Sequence, residues 1–126
     1  MHLNPDKYLG KVEYLLVYSE LIAAARYRGV TTYQAIAQLM GLRLSGSNMG
    51  REVGLVLGEI TEAELDRGRP MLSALAVGVS GKPGEGFYSL ARQLGRLTED
   101  STAAEEAFWQ HEREAVYAAW QRKFKV

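Results

Sequence analysis

The sequence predicts a mostly helical α+β domain: a winged helix-turn-helix-like core with a small β-sheet, flanked by long N- and C-terminal helices. Three observations predict it. Apolar residues recur at helical spacing near both ends of the chain. Between Gly29 and Gly54, two shorter helical patterns are separated by a polar, glycine-containing turn. From Met71 to Val79 the chain is continuously apolar apart from Ser73, as expected of a strand covered on both faces.

The 126 residues suit one domain with a real core and are too few for two. The balance of 47% hydrophobic and 24% charged residues is that of a globular protein. No apolar run approaches the ~18 residues of a membrane span. Asp6, Glu13 and Glu20 near the start are unlike a signal peptide, so a cytoplasmic location is the expectation. Cysteine is absent, which excludes disulfides, thiolate metal sites and thiol nucleophiles.

Asn4-Pro5-Asp6 is a helix-start signal, with Pro5 at an early helical position. A long helix to about Arg28 should follow. Tyr8, Val12, Leu15, Leu16, Ser19, Ile22 and Ala23 keep its period, while Tyr14, Val17, Tyr18 and Leu21 widen the apolar band. Tyr8, Tyr14, Tyr18 and Tyr27 suit a core or an interface.

The helix-turn-helix region covers about residues 29–58. Thr31 and Gln34 have capping-box spacing. Ala35, Ile36, Leu39 and Met40 repeat at helical spacing, and Gly41 can adopt the left-handed conformation that ends a helix. Leu42-Arg43-Leu44 leads to the turn Ser45-Gly46-Ser47-Asn48, and a second run carries Met49, Val53, Val56 and Leu57 on one face. Thr61-x-x-Glu64 repeats the capping-box spacing, predicting a short solvated helix from about Glu62 to Arg67, ended by Gly68.

Arg69-Pro70 forces extended backbone ahead of the predicted strand, and Ser80 to Gly84 is a turn; strand and glycine-rich turn together cover about residues 70–86. The strand's partner is a hairpin arm or a second chain. Gly86 to Gly95 reads as a helix with Phe87, Leu90, Ala91 and Leu94 inward. A third capping box, Thr102-x-x-Glu105, opens a closing helix over about residues 103–123. There Ala104, Phe108, His111, Ala115 and Ala119 share a face, with Trp109, Val116 and Trp120 beside it. His111 reads as a packed, hydrogen-bonded histidine. Arg122, Lys123 and Lys125 suit the helix dipole.

The formal net charge is zero, yet its distribution is uneven. No acidic residue falls between Glu20 and Glu52, a window holding Arg26, Arg28, Arg43 and Arg51. Glu59, Glu62, Glu64 and Asp66 follow at once. A basic face with an acidic flank is one way to address nucleic acid.

Residues 29–88 resemble the DNA-binding domain of DNA alkylguanine alkyltransferases and alkyltransferase-like proteins. The family's G-x-[VT]-[ST]-Y-x-x-[IL]-A stands here as Gly29-Val-Thr-Thr-Tyr33-Gln-Ala-Ile-Ala37. Its R-A-V-G is similar to Arg51-Glu-Val-Gly54, its P-C-H-R-V to Pro70-Met-Leu-Ser-Ala74, and its G-x-x-G-x-Y to Gly84-Glu-Gly86-Phe-Tyr88. Met71 stands at the acceptor cysteine, and a thioether cannot become the thiolate that alkyl transfer needs. The resemblance therefore implies DNA contact without catalysis. Ala35 to Met40 would support a recognition helix begun by Ser47, Asn48 and Arg51, with Tyr33 against a backbone phosphate. Arg51 would enter the duplex where a base is displaced. Arg43 joins this DNA face.

A rival set, Arg69, Ser73, Lys82 and Tyr88, would converge on a small anionic ligand such as a nucleotide. The glycine-rich turn beside it lacks the G-x-x-x-x-G-K-[ST] order of a phosphate loop. A homodimeric interaction module, built through the first and last helices, is the third reading. No nucleophile–base pair, cofactor motif or metal-ligand spacing marks an enzyme.

Overall fold

A computed structural model describes residues 3–121. Among the described residues there are five α-helices and a two-stranded parallel sheet. In order they are α1 (Val12–Arg26), β1 (Thr31–Thr32), α2 (Tyr33–Leu39), α3 (Ser47–Asp66), a 3-10 turn (Leu72–Leu75), β2 (Ala76–Val77), α4 (Glu85–Gln93) and α5 (Thr102–Trp120). The 3-10 turn lies at the centre, packed by α1, α3 and α5. Around it Leu21, Ile36, Ile60, Met71, Leu72, Leu75 and Val116 are fully buried. The tail with Arg122, Lys123 and Lys125 lies outside the described residues.

The first helix begins later than Pro5 suggests. Residues 3–11 form a non-helical strap along α3, because carboxylates of that helix satisfy its amides. Glu62 accepts from the amides of Leu3 (2.6 Å) and Asn4 (2.8 Å). Glu59 accepts from those of Lys7 (3.2 Å), Tyr8 (3.0 Å) and Leu9 (2.9 Å). Within α1 the buried residues are Val17, Leu21 and Ala25, at a spacing of four. Val12, Leu15 and Leu16 face outward, Val12 and Leu15 each 62% exposed. The helix carries two apolar stripes, and packing on α5 and the 3-10 turn selects one.

Strand β1 pairs with β2 in parallel register, Thr31 with Ala76 and Thr32 with Val77. The partner of the predicted strand is thus an earlier segment of the same chain, and the strand itself is short. The first half of the apolar run, Leu72–Leu75, is a buried 3-10 turn instead. Side chains of neighbouring helices satisfy its backbone: Glu112 accepts from Met71 N at 2.9 Å, and Trp109 Nε1 donates to Ala74 O at 2.9 Å.

Helix α3 runs unbroken through the point where two helices were expected. Val53, Val56, Leu57 and Ile60 keep one face buried across it. Burial of about 1.5–3 kcal/mol per large side chain outweighs the ~1 kcal/mol that each internal glycine costs. Thr61 starts no helix; its hydroxyl donates to Ser73 Oγ at 2.7 Å inside the core. Nor is the acidic cluster solvated: Glu52, Glu59, Glu62 and Glu64 are buried, and only Asp66 is exposed. Gly41 and Gly68 adopt φ of 73° and 75°, the left-handed conformation that closes α2 and α3.

Two capping residues shift by one place. Thr32 rather than Thr31 caps α2, accepting from Ala35 N at 3.0 Å, and Ser101 caps α5. Thr31 is instead buried and donates to Glu20 at 2.9 Å. On α5 the buried face is Trp109, Glu112, Val116 and Tyr117, so His111 is exposed rather than packed. Trp109 and Tyr117 bring polar tips whose acceptors, Ala74 O and Gly29 O, fix this rotation. Among the described residues no helix is long and apolar enough to cross a membrane.

Candidate functional site

A cleft of about 360 Å³ opens between α3 and α4. Its α3 wall carries Met49, Val53 and Leu57 beside a row of glycines, Gly50, Gly54 and Gly58. Spaced by four, these glycines share one helix face. Nothing lies within 4 Å of a Cβ built on Gly50 or Gly54, so their missing side chains are the width of the cleft. Phe87 and Leu90 of α4 form the opposite wall, and Ser73 lies between. Asn4 of the strap closes one end, its side chain 2.6 Å from where a Gly58 Cβ would sit. Among the described residues no lysine, arginine, aspartate or glutamate lines the cleft. It suits a neutral, flat, largely apolar group.

Tyr33, at the start of α2, holds the far wall. Its hydroxyl accepts from Gly84 N at 2.6 Å, and its ring lies in van der Waals contact with Gly78 and Gly84, at 3.6 Å and 3.7 Å from their ideal Cβ positions. Burial pushes the Tyr33 pKa up, against the opposing pull of the Gly84 amide. The hydroxyl is thus engaged within the protein.

The first turn of α3 continues from the cleft into solvent. Gly46 precedes it with no capping side chain, and no acidic residue falls in that turn. Four helix amides and the positive end of the dipole are therefore turned outward. Ser47, Asn48 and Arg51 are exposed there, as is Arg43 in the preceding loop. Arg51 donates to Asn48 Oδ1 at 2.7 Å, and its side chain is 70% exposed. Its Nε lies 3.6 Å from Glu52, whose charge is also engaged from behind by Lys7 and the Tyr8 hydroxyl. Those two hydrogen bonds, Lys7's the larger, hold the Glu52 carboxyl below its usual range. Burial, with the Glu52 bond second, pushes the Tyr8 pKa up to about 12.

No family model, curated protein or solved structure matches the chain.

Arg43, Ser47, Asn48 and Arg51 thus gather around one helix start, while Tyr33 stands inside the adjoining cleft. The remaining arginines of the basic window are elsewhere: Arg28 pairs with Glu114 at 2.7 Å, and Arg26 reaches Trp120 O at 3.4 Å. The rival set does not converge. Ser73 is buried at the cleft, Lys82 pairs with Glu106 at 3.2 Å, and Tyr88 is packed edge-on to Phe87. Arg69 lines a different hollow. Sequence reasoning missed the cleft itself, although the Gly50, Gly54, Gly58 spacing was there to be read once the helix was known to be continuous.

Proposed function

We propose that the chain is a non-catalytic DNA-binding module of the alkyltransferase-like kind. Helix α2 then supports α3 as the recognition helix of a winged helix-turn-helix, and the loop over residues 78–84 is the wing. One observation carries the reading: the exposed, acid-free first turn of α3 adjoins an apolar cleft lined by the same helix. A duplex phosphate suits the free amides and Arg51. A base displaced from the stack suits the cleft, between Val53 and Leu57 on one side and Phe87 on the other. Tyr33 then shapes the pocket wall rather than gripping phosphate. Met71 is buried with its amide on Glu112, and its thioether offers no nucleophile.

Fluorescence anisotropy of a labelled duplex, titrated at low and moderate salt, tests this. The expected result is binding that weakens with salt, is at least about tenfold weaker in Arg51→Ala, and tightens for a duplex with a bulged or mismatched base, which costs less to displace. Affinity unchanged in Arg51→Ala would sink the reading.

A further inference from the structure

Away from the cleft, where α3 turns into the 3-10 segment, a second hollow of about 290 Å³ is lined by Leu65, Gly68, Arg69, Pro70, Arg96 and Ala115. Among the described residues that line it, two are arginines and none is acidic. Each guanidinium is held from behind by a buried carboxylate. Arg69 Nε and Nη2 donate to Glu64 at 3.0 Å and 2.7 Å, and its face stacks on Trp120 at 4.9 Å. Arg96 Nη2 donates to Glu112 at 2.7 Å. The glutamate side chains are 1% and 3% exposed, the arginines 31% and 36%. Carboxylates therefore lie inside and guanidiniums outside.

This arrangement fixes two rotamer-rich side chains in advance. A guanidinium carries five N–H donors. Arg69 Nη1 and Arg96 Nε and Nη1 donate to no protein group among the described residues. Planar forks held in place recognise tetrahedral oxyanions with little ordering cost. The Arg69 proton is further secured by its hydrogen bonds to Glu64, so its charge persists at any ordinary pH.

We propose that this hollow is a phosphate-binding site, with Arg69 and Arg96 each donating to the oxygens of one phosphate group. Leu65, Pro70 and Ala115 supply an apolar rim that fits a small carrier of that group. The site is separate from the first turn of α3, and it stands whether or not the chain binds DNA.

Calorimetric titration with inorganic phosphate, at constant ionic strength, tests it. The wild type should bind saturably at millimolar concentration or tighter, and Arg51→Ala should bind equally. Ala115→Glu places a carboxylate in the hollow while leaving both arginines and their glutamates in the chain, and should weaken binding at least tenfold. Ala115→Gln, of the same size, should retain it. A nucleoside monophosphate that binds more tightly than phosphate supports a carried group; equal affinity supports the free ion. No saturable heat in the wild type would overturn the proposal, as would loss in Arg51→Ala or equal affinity in Ala115→Glu and Ala115→Gln. If circular dichroism shows Ala115→Glu unfolded, Arg96→Gln decides: retained binding overturns the site, and lost binding in a folded variant supports it.

Discussion

Glu52, Glu59 and Glu62 accept bonds from residues 3–9, and what each does depends on a partner some fifty residues away. Glu52 receives the Tyr8 hydroxyl and the Lys7 ammonium. Because its folded pKa is depressed from 4.5, its contribution to stability is full above that value and is lost as pH falls through the folded one. Tyr8 has the opposite sign. Its pKa is raised from 10.0 to about 12, so its contribution is full below 10.0 and is lost as pH rises through about 12. Tyr8→Phe removes one hydrogen bond to a buried carboxylate and should cost about 2 kcal/mol at pH 7. Urea midpoints taken from pH 7 down into acid would show that cost shrinking as pH falls through the folded Glu52 value; an equal loss throughout would refute the pairing. None of this was legible in the sequence. A glutamate in a run of acids reads as solvated, and its burial follows only from amides delivered by a distant segment.

Elements were more legible than their partners. Helices α2, α4 and α5 fall close to where period and turn residues put them, because one stripe of each is apolar and a glycine or cap marks an end. The continuity of α3 was hidden by Gly58 and by Thr61, which imitates a cap while buried on Ser73. The candidate DNA residues at its start could be named, since exposure follows from polarity there. The cleft could not, since it needs α4 opposite. The glycine row makes the point testable. Gly54→Ala places a methyl in open space and should stabilise α3 by up to about 1 kcal/mol. Gly58→Ala makes the same helical gain but drives a Cβ to 2.6 Å from the Asn4 side chain, which must shift from its place beside Glu62. Thermal melts should therefore move in opposite directions. A rise in both would show that Asn4 is not held over Gly58.

Over the whole molecule, contacts between distant segments close the fold. Helix α5 reaches the 3-10 turn through Glu112 and Trp109 and the loop before β1 through Tyr117. At the other end the strap supplies α3 with backbone amides, one ammonium and one phenol. Deleting residues 1–9 would leave Glu59 without the three amides that it accepts and Glu62 without those of Leu3 and Asn4. Glu52 would lose Lys7 and Tyr8. Leaving a buried charge unpaired costs about 3 kcal/mol or more, and a domain this size has only about 5–15 kcal/mol in all. Some of that loss is recovered as the bared carboxylates reach water, so the pH dependence is the sharper signature. In the intact chain Lys7 and Tyr8 hold the Glu52 carboxyl below its usual range, and the stability this contributes is lost as pH falls through the folded value. The truncated chain lacks both hydrogen bonds, so that loss in acid disappears with them. Urea midpoints taken from pH 7 into acid should fall more steeply for the intact chain than for the truncated one. Parallel curves would mean that the strap is not what holds the Glu52 carboxyl below its usual range.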